Sequence, residues 1–211
     1  MATEAERTVA RTLRFDGVIA GLGTDSGTRL VVGMWSASPF GAIADVMIED
    51  AGGHRTLLAP RQEVADFIAA TYVFDEIRVE AIALREDDRS LIVCSPSLRV
   101  ELRLGRRTGV GRLLLVLVPG PLRRARWWCR AIGPVARRLR AGVQTVGTAG
   151  GGRREYYCAA DEHLIESAQA SFDGFGLGRL RPVLPAVQFG FASAPPTPSA
   201  VRVTTLIDLP T

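Results

Sequence analysis

The run Leu98-Arg99-Val100-Glu101-Leu102-Arg103-Leu104 alternates apolar and charged side chains without a break. Neighbouring side chains of a strand point to opposite faces, so this period of two buries Leu98, Val100, Leu102 and Leu104 and leaves Arg99, Glu101 and Arg103 in water. A helix would scatter the same residues around its circumference. Weaker versions of the pattern occupy Thr12 to Gly21, Arg29 to Trp35, Ile43 to Glu49, Arg55 to Leu58, Ile77 to Leu84, Leu91 to Cys94, Glu155 to Ala160, Leu164 to Phe172, Ala186 to Ala192 and Val201 to Leu206. Turn-forming clusters fall between them: Thr24-Asp25-Ser26-Gly27, Asp50-Ala51-Gly52-Gly53 and Asp87-Asp88. Many short strands separated in this way predict an α+β chain, mainly antiparallel β, with a barrel-like or sandwich core of about ten or eleven strands.

Two stretches depart from the period of two. After Pro60, Arg61 to Tyr72 places Val64, Phe67, Ile68 and Thr71 at helical spacing, with Glu63 and Asp66 in the early turns, which predicts a short amphipathic helix. Further on, Leu122, Ala125, Cys129, Ile132, Ala136 and Leu139 recur at intervals of three and four, opposite Arg123, Arg126, Arg130, Arg137 and Arg138. Gly133-Pro134 should kink or split that helix. Residues 109–141 therefore read as an arginine-rich helical insertion within a single domain spanning 1–211.

Charge concentrates in the same region. Thirteen arginines and no acid lie between Leu102 and Arg154, in a chain whose net charge is only +4. Such a block is either a docking face for an anionic membrane or an acidic partner, or a set of side chains that pair with acids elsewhere on the fold. Arg123, Arg124, Arg126, Trp127, Trp128, Arg130, Arg137 and Arg138 are the docking candidates, because arginine heads beside indole rings suit a membrane interface. The competing reading packs the apolar face on the barrel and puts Trp128 in the core. An exposed apolar stripe on this helix would support a homodimer. Nucleic-acid binding is disfavoured, since no zinc finger, RNP aromatic signature or helix-turn-helix pattern accompanies the basic block.

All 26 cationic residues are arginine, and neither lysine nor asparagine occurs. The joint absence reports GC-rich codon usage, and it also removes chemistry: no Schiff-base amine, P-loop lysine or pyridoxal-phosphate anchor can be made. The opening Met1-Ala2-Thr3-Glu4-Ala5-Glu6-Arg7 carries acids where a secretory signal needs positive charge. The longest apolar run, Leu113 to Val118, is far short of the ~20 residues that span a bilayer. Cys94, Cys129 and Cys158 are odd in number and lack a C-x-x-C pair, so they are expected as reduced thiols in a cytoplasmic protein.

Candidate site residues are few. Asp45 shares a strand face with Ile43 and Met47, where desolvation would raise its pKa, although Glu49 continues the same face and allows it to be wet at that end. Glu155 and Tyr157 follow the Arg153-Arg154 pair, which with Gly150 to Gly152 could form an anion nest. His54, Arg55, Arg154 and His163 complete the ligand-binding candidates. The two histidines lack metal-binding spacing, no G-x-S-x-G elbow is present, and Gly21-Leu22-Gly23 does not open a dinucleotide loop. No metal and no cofactor are expected.

The order Ser38-Pro39-Phe40-Gly41, a strand with Asp45-Val46, a helix and a strand-rich second half resembles the layout of acetoacetate-decarboxylase-like proteins. The likeness covers Leu13 to Tyr72 and, more loosely, Glu155 to Leu206. It implies a closed β-fold around a small-molecule cavity. The family's decarboxylase forms an imine through a lysine, which this chain lacks, so the resemblance implies fold and cavity but not that reaction. The basic insertion is foreign to that pattern. The resulting expectation is a cytoplasmic barrel-like protein that binds a small carboxylated or apolar ligand, or an enzyme acting on one without an imine. The alternative is an interaction protein docking through residues 119–141.

Overall fold

A computed structural model describes residues 12–117, 146–148, 152–190 and 194–210. Ten strands form one continuous sheet in the order β5-β4-β3-β2-β1-β13-β10-β8-β7-β6, with β9 and β11 paired to β10 and β12 to β1. The thirteen strands among the described residues are β1 (Thr12–Thr24), β2 (Arg29–Ala37), β3 (Ile43–Glu49), β4 (Arg55–Ala59), β5 (Glu76–Val79), β6 (Ala83–Asp87), β7 (Ser90–Cys94), β8 (Leu98–Arg107), β9 (Val146–Thr148), β10 (Arg154–Phe172), β11 (Phe175–Gly176), β12 (Leu180–Arg181) and β13 (Ser199–Asp208). The chain is α+β with an antiparallel, barrel-like core, as the alternation predicts. Among the described residues only β4 and β5 run parallel, and the crossover between them is α1 (Gln62–Ala69).

The connection from β5 to β6 dictates the curl. These strands lie at opposite edges of the sheet, yet only Glu80, Ala81 and Ile82 separate them in sequence. A link that short reaches about 14 Å when fully extended, so the sheet must bend until its two edges almost meet. One face consequently covers itself. Leu22, Leu30, Val32, Ile48, Leu58, Leu91, Val93, Val100 and Leu102 form a continuous buried cluster there, without a helix over it among the described residues. The other face, carrying Val31, Ile43, Met47 and Leu57, is covered by Val64, Ala65 and Ile68 of α1 and by Val183, Val187 and Phe189 of the segment following β12.

Several boundaries differ from the sequence expectation. Ile77 to Leu84 is two strands, because the chain crosses from edge to edge in its middle. Glu155 to Ala160 and Leu164 to Phe172 are one strand, β10: register shifts between Ala159 and Asp161, His163 and Ile165, and Ile165 and Ser167 let it change hydrophobic phase without ending. Over its described part, Ala186 to Ala192 is irregular, following Pro182 and Pro185, which have no N–H to give a ladder. Its backbone bonds elsewhere: the Gln188 N–H donates to Glu49 and the Phe189 carbonyl accepts from the Val73 N–H.

α2 (Gly109–Leu117) follows Thr108, whose hydroxyl accepts from the Gly111 N–H at 2.9 Å in the manner of an N-cap. The rest of the expected insertion, with Arg123, Arg124, Arg126, Trp127, Trp128, Arg130, Arg137 and Arg138, lies outside the described residues. Among those described, no helix is long and apolar enough to cross a membrane. Cys94 is a free thiol, whereas Cys158 is disulfide-bonded, contrary to the expectation of reduced cysteines throughout.

Candidate functional site

The face under α1 holds more buried polar chemistry than a dry core needs. In β2, Gly33 has no side chain, and the Trp35 indole and the Asp45 carboxyl meet above it. A Cβ at position 33 would lie 2.6 Å from Asp45 Oδ1 and 2.8 Å from Trp35 Nε1. Gly33 is also the register partner of Asp45, so the glycine sets the height at which that carboxyl sits. Trp35 Nε1 donates to Asp45 Oδ1 at 2.8 Å. Around them lie aromatic rings: Trp35 meets Phe15 edge-on at 5.5 Å, and Phe15 stacks on Phe67 at 5.6 Å. Asp45 is 4% exposed. Burial pushes its carboxyl up to about 7, and the single indole N–H opposes this only in part.

A second polar group comes from β10. Alternation places Glu155 and Tyr157 on the same face as Thr205 and Ile207 of β13 and Leu13 and Phe15 of β1. The chain leaving α1 then delivers Tyr72 to them. Tyr72 Oη is 2.8 Å from Glu155 Oε2 and 2.7 Å from Tyr157 Oη, and Tyr157 Oη is 3.0 Å from Glu155 Oε2. Glu155 is fully buried, and burial raises its pKa against the pull of the two phenols and the Arg153 charge. Both phenols are pushed up, chiefly by burial. The Asp45 charge contributes to the rise at Tyr157, so the two polar groups lie within electrostatic reach of one another.

Arg153 closes one side. Its Nη1 donates to the Phe67 carbonyl at 2.7 Å and to Thr71 Oγ1 at 2.6 Å, and its guanidinium lies 4.5 Å over the Phe67 ring. The cation is therefore committed to the end of α1. It biases Glu155 electrostatically without forming an ion pair with it among the described residues.

Of the sequence candidates, the fold brings together Asp45, Glu155 and Tyr157. His54 and Arg55 belong instead to a clamp between the starts of β4 and β5. Arg55 Nε and Nη2 grip the Asp75 carboxylate at 2.9 Å each, which holds Asp75 well below the usual range, and His54 Nε2 is 3.6 Å from Glu76. Arg154 is exposed, turned away from Glu155 and Tyr157 by the alternation of β10. His163 lies farther along β10, its Nδ1 3.0 Å from the Gly105 carbonyl and its Nε2 3.5 Å from Asp161. Glu49 does not mark a wet end to the Asp45 face; it is buried against Arg29 at 2.8 Å. The residues that sequence reasoning missed as a site are Trp35, Thr71 and Tyr72, with Arg153 noticed only as part of an anion nest. Trp35 was the accessible one, since the period of two puts it on the Gly33 face.

An open groove of ≈ 1220 Å³ lies elsewhere, lined by Glu86, Arg89, Glu101, Arg103, Gln169 and Arg202 among others. It contains none of the residues above and is walled by solvated charged side chains, so it is a weaker candidate than the buried carboxyls.

No family model and no curated protein matches the chain. Among solved structures it is similar to an acetoacetate decarboxylase from Legionella pneumophila, with a TM-score of 0.44 and 10% identity, covering 99% of this chain and 91% of that one. It is also similar to a putative AttH from Nitrosomonas europaea, with a TM-score of 0.32 and 11% identity, covering all of this chain and 57% of that one.

Proposed function

We propose that this chain is a small-molecule-binding protein whose ligand rests against Trp35, Asp45 and Tyr157, and that any reaction there is proton transfer through carboxyl groups. The observation that carries this reading is Asp45: a carboxyl 4% exposed, given one indole hydrogen bond and titrating near 7. A side chain serving packing alone would be apolar or an amide at this position, because a desolvated acid costs stability. An acid that changes charge near neutral pH is instead suited to accept and return a proton in a bound molecule. Glu155, also displaced upward, supplies a second carboxyl in the neighbouring polar group, where Tyr157 feels the Asp45 charge. Imine formation through a lysine side chain is closed, since the sequence has no lysine.

The ligand is a small uncharged or carboxylated compound that meets the aromatic side chains Trp35 and Phe15. Native mass spectrometry of the purified protein tests the reading. A retained low-mass species that Asp45→Ala releases is the expected result, and a spectrum of the bare chain in both proteins contradicts it.

A second reading concerns the arginine-rich sequence at 119–141 and rests on its charge pattern, thirteen arginines without an acid from Leu102 to Arg154. Docking on an anionic membrane would appear as liposome co-sedimentation that weakens with salt. An absence of binding to phosphatidylserine vesicles at low salt removes the membrane form of that reading.

A further inference from the structure

Three oxygen atoms beneath α1 close a triangle. Its sides are Tyr72 Oη to Glu155 Oε2 at 2.8 Å, Tyr157 Oη to Glu155 Oε2 at 3.0 Å, and Tyr72 Oη to Tyr157 Oη at 2.7 Å. Each is a hydrogen-bond length, and each hydrogen bond needs one proton on its line. Two phenols bring one proton apiece. The third must come from the carboxyl. With Glu155 ionised, one side would hold two oxygens facing each other with nothing between them. With Glu155 protonated, every oxygen of the ring donates once and accepts once.

The other oxygen of the same carboxyl supplies an independent observation. Glu155 Oε1 is buried and has no hydrogen-bond partner, in a residue with no exposed surface. An anionic oxygen in that position would lack any donor, whereas the carbonyl oxygen of a neutral acid is a far smaller burden. Arg153 is not the missing donor: its Nη1 donates to Phe67 and Thr71, and none of its N–H groups bonds Oε1.

We propose that Glu155 is a neutral carboxylic acid closing a three-proton ring with Tyr72 and Tyr157, and that its Oε1 receives an O–H or N–H group of an uncharged ligand. This rests on the ligand-binding reading above and narrows it to a donor-bearing, uncharged class. The groups surrounding the acid are Tyr72 from the chain after α1, Tyr157 on β10, Arg153 at the entry to β10, and Asp45 on β3, whose charge acts on Tyr157. Burial of Glu155 works in the same direction as the proton count.

The test is carboxyl carbon NMR of the full chain labelled at glutamate, at neutral pH, with acetamide and hydroxyacetone as uncharged donors and acetate as the anionic control. Glu155→Gln removes the Glu155 signal and so assigns it; Tyr72→Phe, which displaces the signal, provides the assignment if the first variant does not fold. The expected result is a Glu155 carbon at the protonated position without ligand, moved by acetamide or hydroxyacetone and unmoved by acetate. A Glu155 carbon at the carboxylate position overturns the proton count. A protonated Glu155 that answers to acetate alone, or to no probe, overturns the donor subsite. Failure of the broader ligand reading would show instead in the native mass spectra, and would leave the ligand-free Glu155 position unchanged.

Discussion

Trp35 Nε1 lies 2.8 Å from Asp45 Oδ1, across the β2–β3 pair and directly over Gly33. The two side chains come from facing strands, and they can meet only because the position between them carries no Cβ. Among the described residues this is the hydrogen bond that the buried Asp45 carboxyl receives, and the first consequence is thermodynamic.

Stability should fall as pH rises from about 4 to about 7. Asp45 titrates near 7 in the fold against 3.8 in the open chain, so between those values the native state holds the proton that the unfolded chain has already released. The loss is on the order of 4 kcal/mol across that window and is complete above it. Glu155, shifted in the same direction, adds to the slope. Asp45→Asn keeps an acceptor for Trp35 and removes the charge, so the variant should be more stable than the parent at pH 8 and close to it at pH 4. Urea unfolding midpoints at the two pH values measure this.

Gly33→Ala should be destabilising out of proportion to its size. The new methyl would stand 2.6 Å from Asp45 Oδ1 and 2.8 Å from Trp35 Nε1, forcing that hydrogen bond apart. A cost of about 1–3 kcal/mol is expected for such crowding in a packed interior. A blank result in thermal unfolding would show that the contact has room to move.

Arg29 and Glu49 are each only 4% exposed and share a 2.8 Å contact, with Arg29 also donating to the Asp50 carbonyl and Glu49 accepting from the Gln188 N–H. Arg29→Met strands a buried carboxylate and should cost about 3–5 kcal/mol. Arg29→Met with Glu49→Leu should recover part of that loss, because the stranded charge is gone, although Gln188 then loses its acceptor. Chemical denaturation of both variants distinguishes charge burial from simple packing loss.

Alkylation of the denatured, unreduced chain should label Cys94 and spare Cys158, which becomes reactive only after reduction. Peptide mapping by mass spectrometry reads this out. Equal labelling of both before reduction would restore the expectation of free thiols throughout.

The parts of this molecule that sequence patterning revealed are those set by neighbours along the chain. Leu98 to Leu104 reads as a strand because its own alternation decides the matter, and β3 has the predicted bounds, Ile43–Glu49. Asp45 was visible for the same reason, as a charge on an apolar face. β10 reads as two strands in the sequence because three register shifts reset its phase, and a phase reset looks like an ending. Tyr72 was invisible as a site residue, since it meets Glu155 across 83 positions of sequence. Only the crossover from β4 to β5, which lays α1 and its trailing chain over the sheet, brings them together.

The most direct measurement is a carboxyl carbon titration of Asp45 by NMR, with Asp45→Asn used to assign the signal. A midpoint close to 7, with the Tyr157 ring resonances responding as Asp45 changes charge, is what the structure predicts. A midpoint near 4 with no response at Tyr157 would contradict a buried acid at this site and the proton-transfer role built on it.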